Sequence, residues 1–138
     1  MEAAVAAQSG VKILAVTALT SLDRGDLADL GFACDPAELV LSRARRALEA
    51  GCSGVISSGL EAAALREALG EKLLIISPGI RPVDNTTVDD QKRIMTPRAA
   101  FEAGADYIVV GRPIRNAADP RAAAQAIVAE ICAVFESA

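Results

Sequence analysis

The pair Gly111-Arg112 directly follows the apolar run Tyr107-Ile108-Val109-Val110. A glycine in that position lets a backbone N–H approach an anion closely. The arginine adds a planar guanidinium that can grip phosphate through two hydrogen bonds. Arg81, in Ser77-Pro78-Gly79-Ile80-Arg81-Pro82, occupies the equivalent place after another apolar run. Two arginines at neighbouring strand ends point to an anionic ligand. Residue type alone also allows a plainer account, in which Gly111 turns the chain, Arg112 is a solvated charge and Arg81 pairs with Asp84, Asp89 or Asp90. An exposed pair of that kind is worth at most about 1 kcal/mol. Thr20 could hydrogen-bond a polar heterocycle, but a cap or turn role shared with Ser21 or Asp23 is the favoured account at this level. The charge run Asp89-Asp90-Gln91-Lys92-Arg93 sits in a polar stretch from Pro78 to Thr96. A loop of that length in a compact domain is more often functional than idle.

Composition narrows the chemistry. Histidine is absent, which removes the commonest general base and metal ligand, and with them most zinc and triad mechanisms. Cys34, Cys52 and Cys132 are odd in number and lack C-x-x-C spacing, so free thiols in a reducing cytoplasm are the expected state. The net charge is −4 and no basic cluster occurs, which argues against nucleic acid and anionic membranes as partners. No apolar run is long enough to span a bilayer. The segment Met1 to Ala7 lacks the basic region of a signal peptide. With 52% apolar and 23% charged residues, positions 1–138 are expected to form a single globular domain.

The elements that must position these residues alternate. Lys12–Thr17, Gly54–Ser57, Leu73–Ser77 and Tyr107–Val110 read as buried strands. Between them lie expected helices over Leu22–Leu30, Pro36–Ala50, Glu61–Leu69 and Pro97–Ala103, and another opens at Asp119-Pro120 and runs to about Phe135. Asp35-Pro36-Ala37-Glu38 combines an Asp cap, Pro at the first position and Glu three residues after the cap. The stretch Glu49–Ile56 echoes Glu102–Val109: a helix end, a glycine stop, a short loop and a strand entry. Strands apolar on both faces, separated by helices, predict a parallel α/β sheet. Ligands of such sheets bind at the C-terminal ends of the strands, where all the candidates above fall. The order fits a (β/α)₈ barrel or a doubly wound sheet. Four strands are too few for the barrel, which takes about 250 residues. A start on helical residues, with no strand before them, fits a chain beginning mid-barrel.

Four segments together carry a specific resemblance. Ile13 to Ser21 (ILAVTALTS), Ser77 to Pro82 (SPGIRP), Asp90 to Pro97 (DQKRIMTP) and Ala105 to Ile114 (ADYIVVGRPI) resemble, in order, motifs of the bacterial orotidine 5′-phosphate decarboxylases. The resemblance implies a parallel (βα)₄ half of a TIM (β/α)₈ barrel, the C-terminal half, in a family that works as a homodimer without cofactor or metal. That family converts orotidine 5′-monophosphate to UMP and CO₂. By the same resemblance Arg81, Gln91, Gly111 and Arg112 bind substrate around the phosphate and pyrimidine, Thr20 is a further substrate contact, and Pro78 walls the base. The family's D-x-K-x-x-D motif is not in the chain, so no catalytic residue is assigned to it. Its lysines are Lys12 and Lys72, which precede strands, and Lys92, in the long loop. Two further readings stand beside this one: a half-barrel that binds a nucleotide or phosphate ester without catalysis, and a related sugar-phosphate lyase barrel. Thr20 and the Arg81-to-Gln91 loop argue against the lyase.

Overall fold

In the computed structural model, described over residues 1–82 and 93–136, four strands form one parallel sheet. They are β1 (Leu14–Val16), β2 (Gly54–Ile56), β3 (Leu74–Ser77) and β4 (Tyr107–Ile108), side by side in chain order. Seven α-helices accompany them among the described residues: α1 (Glu2–Ala6), α2 (Arg24–Asp29), α3 (Pro36–Glu49), α4 (Ala62–Leu69), α5 (Pro97–Glu102), α6 (Arg112–Arg115) and α7 (Pro120–Glu136). Short 3₁₀ turns at Gly59–Glu61 and Gly70–Lys72 flank α4. The four expected strands and the principal helices are all present. β1 and β4 are shorter than the expected Lys12–Thr17 and Tyr107–Val110, and the one-turn α6 is not expected from the sequence.

Local chemistry explains the helix ends. Asp35 and Asp23 each accept a hydrogen bond from the backbone N–H three residues on, and Glu38 and Asp26 return the bond to the cap N–H. Thr96 caps α5 through Ala99 N–H, and Asp119 caps α7 through Ala122 N–H. Buried Leu39, Val40, Ala44 and Ala47 share one face of α3, which packs on β2 and α4. The alanines let that helix lie close to β2, whose Val55 is fully buried.

The echo in the sequence is a repeated structural unit. After α3, Gly51 turns at φ 83° while Cys52 N–H bonds Ala47 O at 2.9 Å; after α5, Gly104 turns at φ 99° while Ala105 N–H bonds Ala100 O at 3.0 Å. Left-handed backbone there suits glycine. The next N–H of each unit enters the sheet alike: Ser53 donates to Ile13 O and Asp106 to Ile75 O, both at 2.9 Å. Accordingly Leu14 pairs with Gly54 in one unit and Ile76 with Tyr107 in the other. Between the units Gly54 pairs with Leu74, two residues before Ile76. The register therefore steps by two residues per two-stranded unit, and four such units step it by eight, the shear of a closed (β/α)₈ barrel. The sheet is half of that barrel.

Its two faces differ accordingly. Ala15, Val55, Ile75 and Ile108 point toward the helices and join the core. Leu14, Val16, Tyr107 and Val109 point to the opposite side and are 38–60% exposed. That apolar face is the one a complete barrel would enclose.

Candidate functional site

Because the strands are parallel, the segments that follow them gather at one end. After β1, Thr17 is buried; its hydroxyl donates to Ile56 O at 2.9 Å and its carbonyl accepts from Arg43. The chain then turns, with Leu22 N–H bonding Leu19 O at 3.1 Å, and Thr20 is buried in this turn. The cap of α2 is Asp23, not Thr20. After β2, Ser58 Oγ accepts from Leu60 N–H and starts the 3₁₀ turn that carries Glu61 inward. After β3 come half-buried Pro78, Gly79 at φ 76° and buried Arg81. One Arg81 nitrogen donates to Ile80 O at 2.9 Å. The two described ends of the long loop pair: Ile80 bridges Met95, Arg81 N–H donates to Met95 O at 2.8 Å, and Met95 N–H to Gly79 O at 3.3 Å.

After β4, Gly111 leads into Arg112, the first residue of α6. The backbone does not demand this glycine, since its φ is −104°. Neighbouring atoms do not demand it either, because an added Cβ would meet nothing within 4 Å. The space is open where a bound group would approach the backbone. Arg112 itself is half-buried. Thr20, Pro78, Arg81, Gly111 and Arg112 thus all lie beyond the C-terminal ends of the strands. Gln91 lies outside the described residues, as do Lys92, Asp84, Asp89 and Asp90. Lys12 and Lys72 precede β1 and β3, at the other end of the sheet.

Two residues in this region were not singled out by sequence reasoning. Glu61 and Arg93 are both over 90% buried and form an ion pair. Arg93 also donates to Leu19 O at 3.1 Å, and its backbone N–H donates to Thr20 O at 3.2 Å. One side chain therefore joins the loops that follow β1, β2 and β3. Burial pushes the Glu61 carboxyl above its ordinary value of 4.5, against the opposing pull of Arg93. Glu61 Oε2, Arg93 Nε and Ser77 Oγ are buried without a hydrogen-bond partner among the described residues. The local signal at Glu61 is misleading, because Ser58-Gly59-Leu60-Glu61 has the spacing of a helix cap. Arg93 sits in a charge run, which ordinarily reads as solvated surface.

The strand ends lie in the mouth of a half-barrel, open on one side. A hollow of about 560 Å³ lies elsewhere, between α1 and α3, lined by Met1, Glu2, Ala3, Arg46, Glu49 and Ala50. None of the strand-end residues lines it, so it has no bearing on their chemistry.

Comparison with known proteins agrees with this geometry. Residues 1–127 match the family described as orotidine 5′-phosphate decarboxylase / HUMPS. A curated orotidine 5′-phosphate decarboxylase of Methylococcus capsulatus is 64% identical over 135 residues, 98% of this chain and 56% of that protein. One of Nitrobacter winogradskyi is 55% identical over 133 residues, 95% of this chain and 55% of that protein. The crystal structure of orotidine 5′-phosphate decarboxylase from Lactobacillus acidophilus superposes with a TM-score of 0.72 at 42% identity, covering 91% of this chain and 51% of that one. The chain thus spans about half the length of the curated relatives it matches. A four-stranded parallel sheet with barrel shear, strand-end loops gathered at one mouth and this level of identity lead to one assignment: the chain belongs to the orotidine 5′-phosphate decarboxylase / HUMPS family.

Proposed function

We propose that the chain is the C-terminal, phosphate- and pyrimidine-binding half of an enzyme that decarboxylates orotidine 5′-monophosphate to UMP in pyrimidine biosynthesis. The observation that carries this reading is the convergence of Thr20, Pro78, Arg81, Gly111 and Arg112 on one end of the sheet, within a chain 64% identical to a protein named for that activity. Arg112 and the Gly111 N–H grip the phosphate, with Arg81 and Gln91 beside it. Thr20 contacts the substrate and Pro78 walls the base.

Decarboxylation breaks the bond between C6 and the carboxylate and leaves its electron pair on C6. A cation must stabilise that pair and a proton must follow it. No lysine follows a strand among the described residues, since Lys12 and Lys72 stand at the far end of the sheet. The proton donor and its flanking carboxylates therefore come from the other half of the barrel. The bare apolar face of Leu14, Val16, Tyr107 and Val109, with an open strand edge at β1 and at β4, is where that half packs. The complete enzyme works in the cytoplasm as a homodimer. The lack of a strand-end lysine among the described residues also favours a second reading, a half-barrel that binds nucleotide without turnover.

The test is an assay of ¹⁴CO₂ release from carboxyl-labelled orotidine 5′-monophosphate by the purified chain, free of host enzyme. No release is expected from the chain alone. Turnover is expected once the N-terminal half of a close relative is supplied in trans or fused upstream of Met1. Failure to gain turnover, with UMP still bound, would favour the non-catalytic reading. Release by the chain alone would overturn both.

A further inference from the structure

The buried ion pair between Glu61 and Arg93 is an unusual investment for a chain of this size. Each side chain is less than 10% exposed, and each keeps one polar atom, Glu61 Oε2 and Arg93 Nε, without a partner. Removing two charges from water costs more than a partly satisfied pair returns, and well-packed apolar replacements of such pairs are often neutral or stabilising. The raised pKa of Glu61 has the same sense: burial outweighs the attraction of Arg93. Stability is therefore a poor account of why the pair is there.

Its connections give a better one. Glu61 belongs to the turn after β2. Arg93 lies where the loop after β3 returns, two residues beyond Gln91 and two before Met95, which bridges Ile80. The Arg93 guanidinium and backbone N–H hold Leu19 O and Thr20 O of the turn after β1. These bonds reach back along the chain by 32 positions to Glu61 and by 74 to Leu19. We propose that Glu61 and Arg93 are positioning residues, a buried strut that fixes three strand-end loops relative to one another and so sets where Thr20 and Arg81 meet the nucleotide. The strut rests on the proposed function for the identity of that ligand. Neither residue need touch it. The geometric specificity of a guanidinium fork supplies what apolar packing cannot, a fixed direction for each loop carbonyl.

The experiment compares the 138-residue chain with the double variant Glu61→Leu/Arg93→Met, which fills the space without charge. Three readouts are needed: melting temperature, amide hydrogen exchange, and UMP binding by titration. A melting temperature equal to or above that of the wild type is expected. The amides of Leu22 and of residue 93 should exchange at least tenfold faster, while those of β2 and β3 keep their rates. UMP should bind at least tenfold more weakly. Glu61→Gln, which keeps a hydrogen bond toward Arg93, should recover most of the loop protection. Four results would each overturn the proposal: a double variant that does not fold, a lower melting temperature with all amides accelerated alike, loop protection unchanged, or UMP affinity unchanged where the wild type binds. If the wild-type chain binds no UMP, the nucleotide reading fails, and the exchange data still decide whether the pair is a strut.

Discussion

Two arginine–carboxylate pairs stand at opposite ends of the sheet. At the N-terminal end Arg66, from α4, pairs with Asp106, just before β4. Arg66 also donates to Gly104 O at 2.9 Å, Gly70 O at 3.1 Å and Leu73 O at 2.8 Å. Asp106 Oδ2 accepts in addition from Ile75 N–H at 2.7 Å. This clamp sews α4, β3 and β4 together almost entirely through backbone groups, and its Asp106 keeps company with the repeated glycine stop. At the C-terminal end Glu61 and Arg93 are more deeply buried, yet leave polar atoms unpaired, and their bonds run to loops. The same residue types serve opposite ends differently. Away from the mouth, polar capacity is spent on backbone that must be satisfied, which is stability. At the mouth, cost is tolerated for geometry, as functional ends of (β/α) sheets require.

The sharpest way to break this contrast is Arg66→Ala. It strands a partly buried carboxylate and three backbone carbonyls, so unfolding free energy should fall by about 3 kcal/mol in urea titration. UMP affinity of the folded chain should be unchanged. A loss of affinity as large as the loss of stability would show the two ends to be one coupled unit.

Arg112→Ala should act on binding. Losing a charge-assisted contact to a dianion should weaken UMP binding by about 2 kcal/mol by calorimetry. In the reconstituted enzyme it should slow turnover as well as weaken binding, because phosphate binding energy partly supports the chemical step. Equal UMP affinity in wild type and variant would remove Arg112 from the site.

A smaller effect separates the pairs by pH. The folded Glu61 carboxyl holds its proton more tightly than the unfolded one. Its contribution to stability is therefore complete below 4.5 and is lost as pH rises through the higher folded value. Comparing wild type with Glu61→Gln by denaturant titration, the balance should shift toward the wild type as pH falls from neutral to 4.5. A shift in the opposite direction would mean that attraction to Arg93 outweighs burial.

The smallest effect sharpens the scale. Arg98 and Glu102 form an exposed pair one helical turn apart, at 3.4 Å. Arg98→Ala should change stability by less than about 0.5 kcal/mol and leave binding untouched. A larger loss would mean that surface pairs, too, carry weight in this fold.

Much of this molecule is legible in one dimension because the signals act within a few residues. Asp35-Pro36, Thr96-Pro97 and Asp119-Pro120 start helices through bonds to the N–H three residues on. Gly51 and Gly104 stop helices by adopting a backbone that other residues resist. Apolar runs become the strands, and parallel order then places Thr20, Pro78, Arg81, Gly111 and Arg112 at one end without further information. What the sequence did not reveal depends on distance along the chain. The early end of β4 follows its partner β3, whose ladder stops at Ser77 and Ile108, which local pattern does not encode. Whether Leu14, Val16, Tyr107 and Val109 face a core or lie bare depends on how many strands the sheet holds. Glu61 looks like a cap and Arg93 like a surface charge, and only the tertiary structure, which joins positions 32 apart in the chain, makes the two a buried pair. Charge becomes costly only where water is excluded, and exclusion of water is a property of the packed chain.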